Sequence, residues 1–297
     1  MVHHYSPARS GRSRRSFLAA VIAVPALAVL LISCGDDSTT DDPGTAPPAT
    51  APATTPAADG YEHGSGAEDV VARIDSAVGA FTTPEFAFQR TPTLLVAGDG
   101  RAFRPGAQIA IFPSPLLPAI EVLPIDEASI QAILAAADEA GLLAAPPDYT
   151  ADAPQVTDVG STIVTLSAGG AEYVHEAYAL GFETETSPAR LALQTFVEDA
   201  QAIIGGLTGG ELFTPTEYDV LAVPDDVANY TEEPLPVVQP WPAETGIRLA
   251  DATSCLAVPA PDVQAIFEAA NQLSFFEDDG VTYRLAVRPV LPGAERC

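Results

Sequence analysis

The residues able to carry chemistry are few in kind, and the missing kinds are informative first. Beyond residue 34 the chain has two histidines, His63 and His175, and its only methionine is Met1. Haem, copper and structural zinc sites draw on His, Cys and Met, so this inventory points to no metal and no cofactor. His175 falls in Glu172-Tyr173-Val174-His175-Glu176-Ala177-Tyr178, where strand alternation puts Tyr173, His175 and Ala177 on one face. A general base is one reading. A cross-strand or surface histidine is the other, because no Gly-x-Ser-x-Gly motif supplies a nucleophile. Carboxylates are abundant: Asp225-Asp226, Glu232-Glu233 and Glu277-Asp278-Asp279-Gly280. None has the alternating oxygen spacing of a calcium loop, and solvated turns account for them. Asp99, between Gly98 and Gly100, reads as a turn residue. A glycosidase-type pair of distant carboxylates leaves no local signature, which keeps an acidic hydrolase open as the alternative function. No catalytic residue is assigned.

Cations are scarce enough to weigh singly. Arg284 and Arg288 share one face of the last strand pattern, about 13 Å apart. They are candidates to grip an anionic ligand, with structural pairing to carboxylates as the competing reading. Trp241, the only tryptophan, is a candidate for a binding rim together with Phe213, Tyr218 and Tyr230; packing of the loop on the body competes.

The 13 basic residues are all arginine, against 40 acids, for a net charge of −27. Arg9, Arg12, Arg14 and Arg15 precede Cys34 and no acid does, so the remainder carries nine arginines and a charge near −31. Such a field repels nucleic acid and anionic headgroups, and no nucleic-acid partner is expected. The 297 residues accommodate one or two domains.

Residues 35–65, rich in Pro, Thr, Ala and Asp, read as a disordered tether reaching at most about 100 Å. His63 falls inside it. The capping-box spacing Ser65 to Glu68, followed by Val70, Val71, Ile74, Val78 and Phe81, predicts a short first helix. Strands are expected at 86–88, 93–97 and 107–112, with a turn at Gly98-Asp99-Gly100. Asp126 caps a helix with Ile130, Ile133, Leu134 and Ala137 on one face. A hairpin follows, 161–167 and 171–180 around Gly169-Gly170, and then a helix from Ser187-Pro188 to Gly205-Gly206. Residues 66–206 thus form an α+β domain. Residues 207–243 hold no period and read as a Pro-rich connection. Residues 244–297 read as strand (246–250), helix (262–273) and strand (281–290), a C-terminal αβ unit packed on the first.

Residues 130–134 and 263–267 correspond at a constant offset of 133, as do Leu142-Leu143 and Phe275-Phe276. Two related αβ units explain this, and so does the default likeness of alanine-rich amphipathic helices. The fold class expected either way is α+β, antiparallel sheet or sheets with amphipathic helices packed on one face.

Residues 13–34 set the location. Arg14-Arg15 followed by Phe17-Leu18 resembles the twin-arginine export signal, and the apolar run ending Leu31-Ile32-Ser33-Cys34 resembles the lipobox of bacterial lipoproteins. The resemblance implies that 1–34 is a signal peptide and that Cys34 takes the lipid. It places the protein outside the cell membrane, anchored through that lipid. The run of about 16 apolar residues is short for the ~20 of a membrane span. In such an oxidising setting Cys255 and Cys297 are expected to form a disulfide, worth roughly 3 to 4 kcal/mol for a loop of about 40 residues. The tail Tyr283 to Pro292 with Cys297 resembles the C-termini of uncharacterised lipoproteins of high-GC Gram-positive bacteria.

Together these features describe a membrane-tethered extracytoplasmic lipoprotein that binds a ligand or an envelope protein, or has a structural role, rather than an enzyme. Cys34→Ala is expected to release the protein from the membrane or leave an unprocessed precursor. Unchanged lipid labelling of that variant would rule Cys34 out as the acceptor. Replacing Arg14 and Arg15 by Lys is expected to block export, which fractionation reads directly.

Overall fold

Short β-branched stretches and three amphipathic helices build the molecule around two sheets. The computed structural model describes residues 60–79, 81–150, 152–182 and 187–297, all within one compact unit. The first sheet contains β1 (Val70–Ser76), β2 (Leu94–Ala97), β3 (Arg101–Pro105), β4 (Ile120–Pro124), β5 (Ser161–Ala168), β6 (Ala171–Tyr178) and β7 (Glu211–Leu212). Its spatial order is β6-β5-β1-β2-β3-β4-β7, antiparallel throughout. The second contains β8 (Glu217–Pro224), β9 (Val237–Pro240), β10 (Leu256–Pro259), β11 (Ser274–Asp278) and β12 (Val281–Pro289) in the order β10-β8-β12-β11-β9. Only β9 runs parallel to its neighbour, β11. The fold is α+β.

Helices α1 (Pro84–Phe88), α2 (Glu127–Glu139) and α3 (Pro188–Gly205) start at Thr83, Asp126 and Ser187, whose side chains accept from the backbone N–H three residues on. Helix α4 (Ala260–Ala269) begins with prolines instead. The apolar stripes of α2 (Ile130, Ile133, Leu134) and α3 (Leu193, Phe196, Ile204) cover one face of the first sheet, meeting Ile74, Leu94, Val96 and Val164. On the sheet's opposite face Leu95, Phe103 and Ile120 pack with Leu291 from the C-terminal tail. In the second sheet Val220, Phe276, Leu285 and Val287 bury against Val263 and Phe267 of α4. Each buried side chain of this size contributes about 1.5–3 kcal/mol.

Several local expectations are corrected. Residues 70–76 form strand β1 rather than a helix: Val70, Val71 and Ile74 suit a strand buried on both faces, and 65–69 close a turn through the bond from Gly66 N to Asp69 Oδ2. Pro84 at the first helical position turns the expected strand at 86–88 into α1. Strand β3 ends at Pro105, and 107–112 pair with no strand. The stretch 207–243 is no mere connection, because it supplies β7, β8 and β9. At 246–250 the expected strand is replaced by a 3-10 turn, Leu249–Ala252. Chain order begins before residue 66. Tyr61 donates from its hydroxyl to Asp138 and from its N–H to Gln131, and His63 lies against Glu127, its Nε2 3.1 Å from Oε1. The signal stretch 1–34, including Arg14, Arg15, Phe17, Leu18 and Cys34, and the tether to residue 59 lie outside the described residues.

Two buried polar groups join elements that burial alone would leave loosely related. Asp219 of β8 is fully buried; its Oδ2 accepts from Arg288 Nε at 3.1 Å and Nη2 at 2.9 Å, and its Oδ1 accepts from Cys297 N at 3.4 Å. Cys297 is bridged to Cys255 with the Cα atoms 5.2 Å apart. His175 is also fully buried, within 2.9 Å of the Tyr149 hydroxyl at Nδ1 and 2.8 Å of the Leu142 carbonyl at Nε2. That geometry is the neutral imidazole, Nε2–H donating and Nδ1 accepting. The buried Arg190 donates to the carbonyls of Tyr149 and Tyr178 and holds the same corner.

Asp219 is buried while Arg288 keeps partial access to water and the Glu295 carbonyl, so Asp219→Ala is expected to cost about 1–3 kcal/mol in urea unfolding. A loss below about 1 kcal/mol would mean that water replaces the carboxylate. Burial pushes the His175 pKa below its ordinary value, the Leu142 carbonyl only partly opposing this. The unfolded chain therefore takes up a proton near pH 6.5 that the folded chain refuses. Stability is full above that pH and falls by up to about 1.4 kcal/mol per pH unit below it. His175→Gln is expected to flatten this slope between pH 6.5 and 5, and equal slopes in the two proteins would show that His175 is not its source.

Candidate functional site

The residues linking β3 to β4 help to line a cavity with a mostly apolar surface. Gly106 N bonds the Ala119 carbonyl at 2.9 Å, closing the base of the 106–119 loop as an extension of the hairpin. Farther out the loop crosses to the second sheet: Leu116 N donates to Ala270 O, Gln272 N donates to Ser114 O, and Pro115 bridges Asn271. A cavity of about 300 Å³ lies beneath the crossing. Leu117, Ala119 and Ile120 form one wall, with Phe213, Tyr218 and Phe267 opposite. The aromatic wall is fixed edge to face, Tyr218 on Phe267 at 5.4 Å and Phe103 on Phe213 at 5.2 Å between ring centroids.

Polar side chains line this cavity at Gln108, Thr214, Tyr218, Gln264 and Glu268. Gln264 and Glu268 stand one turn apart on α4, the amide donating to Glu268 Oε1 at 2.7 Å, and both line the cavity with Tyr218. Burial, reinforced by the negative charge of Glu268, pushes the Tyr218 pKa up and keeps its hydroxyl protonated. The result is an apolar chamber with a carboxylate, an amide and a phenol in its lining, suited to a small, mostly apolar ligand carrying a cation or hydroxyl. Among the described residues Glu268 is the single carboxylate in the lining, and the two-carboxylate arrangement of a glycosidase is not formed by them here.

The residues singled out from the sequence lie elsewhere. Trp241 is 7% exposed, stacks on Phe267, meets Phe276 edge to face and donates Nε1–H to the Ile247 carbonyl at 2.8 Å; it is a core residue of the second sheet rather than part of a rim. Arg284 donates from Nη2 to Glu85 at 2.9 Å, and its Nε lies 3.5 Å from Asp225, which also accepts from Tyr230. It borders a cleft of about 680 Å³ that Glu232 and Glu233 also line, so the local charge is negative and unsuited to an anion. Arg288 is held by Asp219 and the Glu295 carbonyl, with its guanidinium 4.8 Å from the Phe88 ring centre. Neither arginine offers a free charge. His175 is wholly enclosed. Asp219 also lies within 4.8 Å of both sulfurs, but those sulfurs are joined and its carboxylate is taken by Arg288.

Sequence reasoning missed the cavity because its walls come from five separated stretches. The available signal was the aromatic set Phe213, Tyr218, Tyr230 and Trp241, read as a candidate rim. Two of these four, Phe213 and Tyr218, line the cavity. Comparison of the chain with known proteins returns no matching family model, no matching curated protein and no matching solved structure.

Proposed function

We propose that the protein is a lipid-anchored extracytoplasmic binding protein of the cell envelope, taking a small, predominantly apolar ligand into the cavity beneath the 106–119 loop. The observation that carries the reading is the aromatic and aliphatic chamber lined also by the polar side chains Tyr218, Gln264 and Glu268. A chamber of about 300 Å³ is at the small end of ligand sites and fits one short acyl chain or ring system. Anchoring through Cys34 after export by the twin-arginine route supplies the location, as the signal resemblance implies. Among the described residues no serine, cysteine or histidine and no second carboxylate lines the chamber, so Thr214 and Tyr218 have no histidine base beside them, and this favours binding over hydrolysis.

Displacement of a fluorescent apolar probe, N-phenylnaphthylamine, from the purified full chain tests this. Filling the chamber with Ala119→Trp is expected to weaken probe binding by at least about tenfold, since most of the roughly 1.5–3 kcal/mol of apolar burial is lost. Glu268→Gln is expected to keep neutral probes and lose the preference for an alkylamine over the matching alcohol. Equal probe binding in the parent and Ala119→Trp, with unchanged unfolding midpoints, would overturn the assignment.

A further inference from the structure

The loop that roofs the chamber is unlike the rest of the surface. From Pro105 to Ile120 the chain reads PGAQIAIFPSPLLPAI, sixteen residues without a charge in a protein of net charge −27. Its tip is displayed to solvent: Ile109 is 66% exposed, Ile111 53% and Phe112 64%. Phe86 of α1, 61% exposed, borders the same cleft as Phe112 and continues the apolar surface. Three large apolar tips within four residues, with both ends of the loop tied down by backbone hydrogen bonds, form a narrow protrusion.

From this we propose that the 106–119 loop is a membrane wedge, inserting Ile109, Ile111 and Phe112 into the interface of an uncharged or zwitterionic lipid surface. The inference rests on the binding reading above and names the source of the ligand, an acyl chain passing from the bilayer into the chamber. Three features select a lipid surface as the occupant. Ile109 belongs both to the protrusion and to the chamber lining, so the apolar tip adjoins the chamber mouth. A water-insoluble ligand needs such an adjoining apolar surface. The loop itself carries no charged side chain, unlike the rim of a normal protein interface. Finally, residues 35–59 between the lipidation site and the described body can span at most about 90 Å, which keeps the loop within reach of the membrane. The acids facing the cleft beside Phe112, Glu232 and Glu233, oppose anionic headgroups and set the preference for neutral lipid.

Quenching of tryptophan emission by brominated phosphatidylcholine, with the full chain reconstituted into vesicles of that lipid, tests the wedge. Trp241 is buried and supplies a constant background. Ile111→Trp is expected to be quenched several-fold more than Glu176→Trp, which sits exposed on β6. Adding Ile109→Asp and Phe112→Asp to Ile111→Trp is expected to bring quenching down to the Glu176→Trp level. Equal quenching at the two sites from the start overturns the wedge, as does protection of position 111 that follows protein concentration instead of lipid, the mark of a second copy. Probe displacement in solution separates the two ideas. If the parent binds the probe but position 111 is not quenched, only the wedge fails; if the parent binds no probe, the chamber itself is not a ligand site.

Discussion

The buried carboxylate of Asp219 is the constraint on which the second half of the molecule depends. Alone it would be intolerable at a fully buried position, since an ionised group removed from water costs several kcal/mol. Arg288 on the neighbouring strand makes it tolerable, the two residues being direct partners in the β8 to β12 register. That register is thereby specified, because a slip of one residue would move Arg288 to the opposite face and leave Asp219 unmatched. The same arginine reaches the Glu295 carbonyl and stacks over Phe88, and the same aspartate receives Cys297 N. One ion pair thus ties the central strand of the second sheet to the C-terminal tail, the disulfide and α1. Because α1 lies between β1 and β2, the pair also anchors the second sheet to the first.

The chamber follows from how the sheets are joined. The tail beyond β12 sends Leu291 to the first sheet, and the 106–119 loop sends Leu116 to the second sheet's cluster, so each sheet is covered partly by a segment of the other. Segments that cross between two twisted surfaces cannot follow both, and the space between Leu117, Phe213 and Phe267 remains open. Its aromatic walls are held by edge-to-face contacts and its roof by backbone hydrogen bonds to 270–272, so the opening is built into the fold and does not depend on a loose side chain.

Elements whose ends carry a cap or a glycine turn were legible in the sequence. Asp126, Ser187 and the Gly169-Gly170 turn mark α2, α3 and the β5–β6 hairpin correctly. Where a short apolar run has no such mark, helix and strand patterns coincide. Val70, Val71 and Ile74 satisfy both, and the sheet decided between them by supplying partners on both edges, β2 and β5. Strand β8 was hidden for a different reason: Tyr218, Val220 and Ala222 alternate properly, but Asp219 interrupts the apolar content, and its partner is 69 residues away. For His175 the facing was right, with Tyr173, His175 and Ala177 together, but that face is the inner one, and Val174 and Glu176 point outward. A pattern of two fixes which residues share a side and leaves open which side is buried; Tyr149 and Leu142, which make burial of the imidazole affordable, come from a distant loop.

The constant offset between 130–134 and 263–267 shows where local pattern stops determining topology. Both helices are entered from a strand and followed by a hairpin, so β4-α2-β5-β6 and β10-α4-β11-β12 share an order. In the first sheet the hairpin joins a neighbour through its first strand alone, β5 on β1, whereas in the second it is paired on both edges, β12 on β8 and β11 on β9. The two units are therefore not superimposable by connectivity. An amphipathic helix followed by a hairpin specifies that the helix covers the sheet, and this both achieve. The last strands of the two hairpins differ in their polar residues as they differ in pairing. In β12 these are Arg284 and Arg288, which find carboxylates only on the side of β8 and α1; in β6 they are Glu172 and Glu176, which find water at the sheet's edge. The scarce arginines of an acidic chain thus serve the fold by neutralising carboxylates of the adjoining strand and helix, partners that their spacing alone could not reveal.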